Sequence, residues 1–199
     1  CGIDRASFSS SDPNAHVTFN PPPGVQMPTI KISDVLINAT YLINMPIMKP
    51  HGITGATLSF KNHFGTIDTP FQLHEYVRLS DAKYFGPDRS ALVDIYLNPH
   101  IADKTILTIG DAIFACKAFN GSPSNWETFG DQVPNSLFFS KDPVAVDCVM
   151  CDFLDEETTI PLATNDYLQI AGNAGLGTFE RGDPWGSGYN QIDYLRLNL

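Results

Sequence analysis

The sequence predicts an α/β fold whose sheet is mostly parallel or mixed and carries helices on both faces. Apolar runs rich in β-branched residues indicate strands. Helical segments bounded by Asp, Asn, Pro and Gly alternate with these runs, as is typical of a sheet covered by helices. A length of 199 residues with a hydrophobic content of 43% is sufficient for one core. We therefore expect a single domain over 1–199, with an extended, loop-rich start at 1–30 and a core at 31–199.

Each element follows from a local pattern. Continuous or alternating apolar residues predict strands, whereas caps, prolines and glycines mark helix ends. The segment 90–97 alternates too weakly to separate helix from strand, and we favour helix. The predicted elements in chain order are a surface connection at 7–28, a strand at 35–46, a turn at 49–55, a short helix at 56–65, a helix at 90–97, a strand at 105–113, a loop at 121–135, a strand at 136–140, a helix at 144–154, a helix at 165–174 and a closing edge strand at 191–199.

The charge of the chain restricts its partners. It has 22 acidic against 12 basic residues, a formal charge of -10. Such a surface repels nucleic acids and anionic membranes, so we expect neither as a partner. The sequence shows no membrane segment and no secretory signal, which favours a soluble protein and the cytoplasm over export. Because the chain begins at Cys1 in loop-like sequence, we also expect that an N-terminal part of the domain is missing.

The four cysteines do not form the pattern of a disulfide-rich domain. Cys148 and Cys151 have C-x-x-C spacing, but they lie late in an apolar helical segment, where the helix dipole would not lower a thiol pKa. Packing and a redox or metal pair are the two alternatives, and we favour packing. The sequence has no second C-x-x-C, so it contains no iron–sulfur cluster motif, and we assign no protein metal ligands.

The run from residue 49 to 62 concentrates polar side chains where a predicted strand gives way to a helix. Ligands of open α/β sheets bind at such strand ends. The two glycines of the run permit close backbone approach, and the helix start would offer free N–H groups. The candidate catalytic residues are Lys49, His51 and Lys61, and the candidate ligand-binding residues here are Gly52, Gly55, Thr57 and Asn62.

This run is predicted to bind a small anion. Thr57 and Lys61, four residues apart, would share a helix face. The local positive charge stands out in an acidic chain and suits a phosphate or a carboxylate, although the spacing is not that of a Walker A loop. The alternative is that Lys49 and Lys61 are solvated surface charges and His51 a hydrogen-bonded turn residue. The density of titratable groups favours a shared functional role.

Three aspartates are expected at the same end of the sheet. Asp111 ends a predicted strand, and Asp142 and Asp147 belong to the start of the next helix. They would contact the ligand, hold a divalent ion or orient the lysines. For Asp142, a helix N-cap before Pro143 is the favoured alternative. For Asp111, a turn contact and a ligand contact are equally supported.

The other histidines carry no site prediction. His63 lies near the end of the predicted helix, where it is expected to pack or cap. His16, His74 and His100 have no spacing that assembles a metal site.

Residues Pro46 to Gly65 read P-x-x-K-x-H-x-x-x-G-x-T-x-x-x-K-N-x-x-G and resemble the signature of the domain of unknown function family 362. Residues 137–147 and 174–177 resemble its second and third blocks. The resemblance implies an α/β protein without an assigned activity. Some members carry ferredoxin-like cysteine clusters, which implies a ferredoxin-type redox partner, and some carry export signals. The resemblance also implies an N-terminal α/β portion that would hold the other half of a site.

This chain departs from the family pattern in two respects. It lacks the cysteine cluster, and Pro50 and His63 stand where other residues are expected. Three hypotheses follow from the sequence. The chain is an enzyme, with a redox link, in which the lysines hold an anionic substrate and His51 or a lysine donates a proton. Alternatively, it is a non-catalytic binding module, or the polar cluster has a purely structural role.

Overall fold

The computed structural model describes residues 7–78, 83–118, 121–158 and 163–198, with only the backbone for 163–166. No helix in these ranges combines the length and hydropathy needed to cross a bilayer. The elements in chain order are α1 (Asp34–Asn38), β1 (Leu42–Asn44), β2 (Lys49–His51), β3 (Gly55–Thr57), α2 (Ser59–Asn62), a 3-10 turn (His63–Gly65), α3 (Pro70–Val77), α4 (Ala91–Tyr96), α5 (Pro99–Ala102), β4 (Thr105–Ala112), a 3-10 turn (Glu127–Phe129), β5 (Ser136–Ser140), α6 (Pro143–Glu157) and α7 (Ala163–Asn173).

The described strands form a three-stranded sheet and a separate hairpin. The sheet has the order β1-β4-β5, with β1 parallel and β5 antiparallel to β4. It is therefore mixed, and the predicted α/β class is confirmed. The hairpin pairs β2 with β3. Met48 donates its N–H to the carbonyl of Asp111 at 2.9 Å, and this bond fixes the hairpin beside the carboxyl end of β4.

Helices pack on one face of the sheet. Asn44, Thr108, Gly110 and Ala112 lie on this face, and all are buried. α6 crosses it so closely that a Cβ at Gly110 would collide with the side chain of Met150. α2 contacts both α4 and α6, and α7 also contacts both of them, which completes the layer. The core thus lies between the sheet and these helices, and α2 brings its polar residues to that core.

In the described part of the chain, the opposite face of the sheet is largely exposed. Ile43, Ile47, Leu137 and Phe139 are each 47–63% exposed, and the cross-strand pairing of Asp111 with Leu137 puts Asp111 on this face. These exposed apolar side chains lie together on one face of the sheet and form a patch, unlike apolar residues scattered singly over a surface. Asp111 is consequently on the side of the sheet away from α2.

Cys148 and Cys151 are fully buried in α6 and are free thiols. Burial raises the pKa of Cys148 to about 12 and the pKa of Cys151 well above its ordinary value. Protonated, enclosed thiols of this kind pack as small apolar groups. The geometry agrees with the alternative that the sequence favoured.

The predicted strand at 35–46 is wrong over its first half. The chain forms α1 there, and only Leu42–Asn44 is a strand. Ser33 caps α1 by accepting a hydrogen bond from the N–H of Val35. At the other end, Lys104 donates to the carbonyls of Leu36 and Ile37. These capping contacts override the β propensity of the apolar run, because propensity is weaker than tertiary context.

Three further predictions need correction. The turn predicted at 49–55 contains strand β2 and the start of β3, which pair with each other. The helix predicted at 56–65 begins only at Ser59, since Gly55–Thr57 pairs with β2; its end at Gly65 is correct. Residues 191–198 form no strand, because the carboxylate of Glu180 accepts the N–H groups of residues 190–192. Residue 199 lies outside the described ranges. The helices near 90–97, 144–154 and 165–174 and the strands at 105–113 and 136–140 are present with boundaries shifted by a few residues.

Candidate functional site

The β2–β3 hairpin brings together residues that the sequence placed on a turn and a helix. Lys49 lies directly opposite Thr57, and His51 lies opposite Gly55. Gly55 has φ +79°, a left-handed conformation that favours glycine and closes the turn. Thr57 is therefore on a strand, and the prediction that it shares a helix face with Lys61 is wrong. We call Lys49, His51, Lys61 and His74 the cationic cluster.

The ring of His51 is held by its own turn. Its Nδ1 accepts hydrogen bonds from the N–H of Ile53 at 3.1 Å and of Thr54 at 3.3 Å. In the neutral ring the proton is consequently on Nε2. Burial first, and then the charges of Lys61, Lys49 and His74, lower the pKa of His51 to about 4. His51 is thus a neutral hydrogen-bond donor at physiological pH.

Lys61 is a buried lysine on α2, with only 8% of its surface exposed. Its ammonium lies 3.3 Å from the centroid of the Phe64 ring, a cation–π contact worth about 1–2 kcal/mol. None of the ion pairs in the described ranges includes Lys61. Burial lowers its pKa to about 8. A buried cation without a carboxylate is unfavourable, and an anionic ligand would relieve that cost.

His74 joins the cluster from α3, a helix that begins with Pro70. Its ring packs edge-on against Phe64 with centroids 5.0 Å apart, and its charge contributes to the lowered pKa of His51. The Nδ1 of His74 and the Oγ1 of Thr57 are buried and have no hydrogen-bond partner in the described part of the chain. No sequence pattern predicts His74 as a member of the site, because only tertiary packing brings α3 to the hairpin.

Asn62 is exposed and belongs to an amide network that also includes the buried Asn44. Its Nδ2 donates to Oδ1 of Asn44 at 2.7 Å, and Nδ2 of Asn44 donates to the carbonyl of Ser59 at 2.9 Å. This network fastens α2 to the end of β1. The fold therefore uses the amide of Asn62 as a structural link.

Asp147 reaches α2 from α6. Its carboxylate accepts the N–H of Ser59 at 2.9 Å and that of Phe60 at 3.4 Å. The expectation that the helix start offers free N–H groups is therefore wrong at these two positions. Asp147 is fully buried, and burial raises its pKa to about 7 against the opposing effect of these hydrogen bonds. It acts as a cap supplied by another helix.

The remaining two aspartates make local structural contacts. Asp142 caps α6 by accepting the N–H of Val144 at 2.9 Å and of Ala145 at 2.8 Å, and it also accepts the N–H of Thr178 at 2.7 Å. Asp111 accepts the N–H of Ile113 at 3.0 Å. The described residues contain no group of three or more His, Cys, Asp or Glu placed to hold a metal ion.

The structure thus divides the predicted site. The hairpin and α2 assemble Lys49, His51, Gly55, Thr57 and Lys61, with Gly52 in the intervening turn. Asn62, Asp142 and Asp147 instead hold elements together, and Asp111 lies across the sheet. The chemistry available at the cluster is that of two lysines, two imidazoles and a buried hydroxyl.

The fold is that of an α/β protein in which a cluster of lysines and histidines lies beside the end of a mixed sheet. The family model for the domain of unknown function family 362 (DUF362) matches residues 3–152, which is most of the chain. The chain belongs to this family. No curated protein and no solved structure matches it.

Proposed function

We propose that the protein binds a small anionic ligand, a phosphate or a carboxylate, at the cationic cluster. The observation that carries this proposal is Lys61, a lysine only 8% exposed whose ammonium faces an aromatic ring and is paired with no carboxylate of the described chain. Lys49 and His51 contribute to the same electrostatic environment. A ligand with one or two negative charges would supply the missing partner.

The neutral groups of the site support the same ligand. The Nε2–H of His51 and the hydroxyl of Thr57 are donors that do not add charge. The hydroxyl oxygen of Thr57 is buried and unpartnered within the described ranges. A buried polar atom of this kind is costly unless something hydrogen-bonds to it. An anionic oxygen would accept from the lysines and from these neutral donors together.

The alternative, that the polar residues only stabilise the fold, applies to other residues of the predicted site better than to Lys61. Asn62, Asp142 and Asp147, which hold elements together, each have identified hydrogen-bond partners. Lys61 has the ring of Phe64, which offsets only part of the cost of burying its charge. A lysine kept for stability would be expected to contact a carboxylate or a carbonyl.

Calorimetric titration and thermal unfolding with inorganic phosphate, citrate and malonate test the proposal. We expect saturable binding of at least one of them, and at a concentration of 100 Kd a stabilisation of about 2.7 kcal/mol, which raises Tm by about 5–10 °C. The variant Lys61→Met should lose this rise. The exposed Lys141 supplies the matched control, so Lys141→Met should keep it.

Equal Tm rises in Lys61→Met and in the unsubstituted protein would show that the anion binds elsewhere. The absence of any rise with all three anions, together with a lower Tm for Lys61→Met without ligand, would support the structural alternative instead.

A further inference from the structure

We propose that Lys61 is an amine nucleophile that forms an imine with an aldehyde or keto acid bearing a carboxylate. This inference rests on the proposed anion site and names its substrate class. The carboxylate of such a substrate would contact Lys49, while its carbonyl carbon would reach the amine of Lys61. The two lysines thus take different roles, one for binding and one for bond formation.

Lys61 is distinguished from other lysines by its surroundings. The ammonium of an ordinary lysine is hydrated or paired and therefore stays protonated. Several lysines here are engaged in this way: Lys31 and Lys104 with backbone carbonyls, and Lys83 and Lys117 with carboxylates. Lys61 is instead enclosed, with an aromatic ring beside it and no carboxylate partner among the described residues. Desolvation and nearby cations are the two means by which proteins activate an amine.

The titration of Lys61 agrees with this geometry. Burial lowers its pKa to about 8. At neutral to slightly alkaline pH it would therefore hold roughly a hundred-fold more free amine than an exposed lysine with a pKa near 10.4. Only the free amine has the lone pair that attacks a carbonyl carbon.

The step balances without an oxidant or a metal. The amine lone pair forms a C–N bond while the C=O π electrons move to oxygen, and transfer of the ammonium proton to that oxygen gives a carbinolamine. The nitrogen lone pair then expels the hydroxyl group, which takes up one proton and leaves as water. In total, amine, carbonyl compound and one proton give an iminium ion and one water molecule.

His51 supplies a hydrogen bond to the carbonyl oxygen in this step. Its Nδ1 is engaged by the turn, so its donor is Nε2–H. A neutral imidazole polarises a carbonyl without giving up its proton. The pKa of His51, lowered to about 4, keeps the ring in this form across the range in which Lys61 is nucleophilic. His51 would therefore favour attack while adding no charge that opposes the iminium ion.

Reductive trapping tests the proposal. The full chain is incubated with glyoxylate or pyruvate at pH 7.5 in the presence of cyanoborohydride, and the adduct is located by peptide mass spectrometry. We expect one dominant adduct, on Lys61, formed at least about tenfold faster than on the exposed Lys141. Acetaldehyde, which has no carboxylate, should give less selectivity. Inorganic phosphate should slow trapping by glyoxylate if both occupy the same site.

Two variants separate binding from chemistry. Lys61→Arg retains a cation, so it should still bind inorganic phosphate but form no adduct at residue 61. Lys49→Met should slow trapping by glyoxylate several-fold and leave trapping by acetaldehyde unchanged. Urea unfolding confirms that each variant is folded.

Each failure has a separate meaning. Phosphate binding without an adduct on Lys61 would overturn the imine proposal and leave the anion site in place. Adducts distributed over exposed lysines, with Lys61 no faster than Lys141, would also overturn it. If the protein neither binds inorganic phosphate nor forms an adduct on Lys61, both the imine proposal and the anion site are overturned.

Discussion

Lys61 and Asn62 are neighbours on α2, but they differ in the partners that they have within the chain. Asn62 is joined to Asn44 by a hydrogen bond of 2.7 Å and belongs to a network that reaches Ser59 and β1. Lys61 is buried against Phe64 and has no carboxylate partner in the described ranges. One helix of four residues thus carries both a polar side chain with a hydrogen-bond partner and a lysine without a carboxylate partner.

The contrast between Lys61 and Asn62 indicates which residues of the motif serve the fold and which are candidates for a ligand contact. Polar residues that serve the fold are expected to have partners, because an unpaired buried group costs free energy. Residues that remain unsatisfied after folding are candidates for contact with something outside the chain. Among the residues predicted from the sequence for the site, Lys61 and Thr57 meet this criterion, whereas Asn62 and Asp147 have hydrogen-bond partners within the chain.

The largest expected effect is that of Asp147→Ala. The change leaves the N–H groups of Ser59 and Phe60 buried without an acceptor and opens a small cavity. We expect a loss of about 3–5 kcal/mol, or a fall in Tm of about 10 °C, in urea and thermal unfolding at pH 7. The exposed Asp193 is the control, and Asp193→Ala should change the unfolding free energy by less than about 0.5 kcal/mol. Equal effects of the two changes would show that the hydrogen bonds of Asp147 do not stabilise the fold.

The acid limb of the stability curve should depend on His63. Both of its ring nitrogens are buried without a partner in the described ranges, and burial lowers its pKa to about 4. Between about pH 6.5 and 4, His63 is therefore protonated in the unfolded chain but not in the folded chain. The free energy of unfolding consequently falls as pH falls through this window. The loss from this group is up to about 3 kcal/mol.

His63→Leu should remove that loss. Urea midpoints measured from pH 7 to 4 should fall less steeply for the variant than for the unsubstituted protein. Asp147 acts in the opposite direction: its raised pKa, about 7, means that stability is gained as pH falls below 7. The difference between the two proteins isolates His63, and parallel curves would show that His63 accepts protons freely in the folded state.

The sequence predicted those parts of the fold whose signals are local. β4, β5 and the start of α6 were recognisable, because a continuous apolar run predicts a buried strand and Asp142-Pro143 predicts a helix start. The strand prediction is wrong for residues 35–38, because a helix cap at Ser33 and the contacts of Lys104, which lies 66 residues beyond Asn38, determine the structure there. No window of sequence contains both contacts.

The candidate site shows the same limit. Its position at Lys49–Asn62 was predicted from the density of polar groups, but the β2–β3 pairing that places Lys49 opposite Thr57 was read as a turn and a helix. His74 enters through the packing of α3 and has no sequence signal. Whether Asp147 contacts a ligand or a helix N-terminus likewise depends on how α6 crosses α2.

Lys61→Met should raise stability in the absence of ligand. The change removes a buried cation that lacks a carboxylate partner and keeps a side chain of similar length, so we expect a gain of about 1–2 kcal/mol in the free energy of unfolding at pH 7. Lys104→Met is the matched contrast. Lys104 donates to the last carbonyls of α1, so its loss should lower stability. A loss of stability in both variants would show that Lys61, like Lys104, stabilises the fold.

The smallest effect, and the sharpest for the comparison, is that of Asn62→Ala. It removes one hydrogen bond to Asn44 and leaves the amide network short of a donor, at a cost of about 1 kcal/mol. The anion-dependent rise in Tm should be unchanged, because the amide of Asn62 is bonded to Asn44 of β1. Thermal unfolding with and without inorganic phosphate measures both quantities in one experiment. A variant of normal stability that no longer responds to phosphate would show that Asn62 contacts the ligand, and the division between these two neighbours would then be wrong.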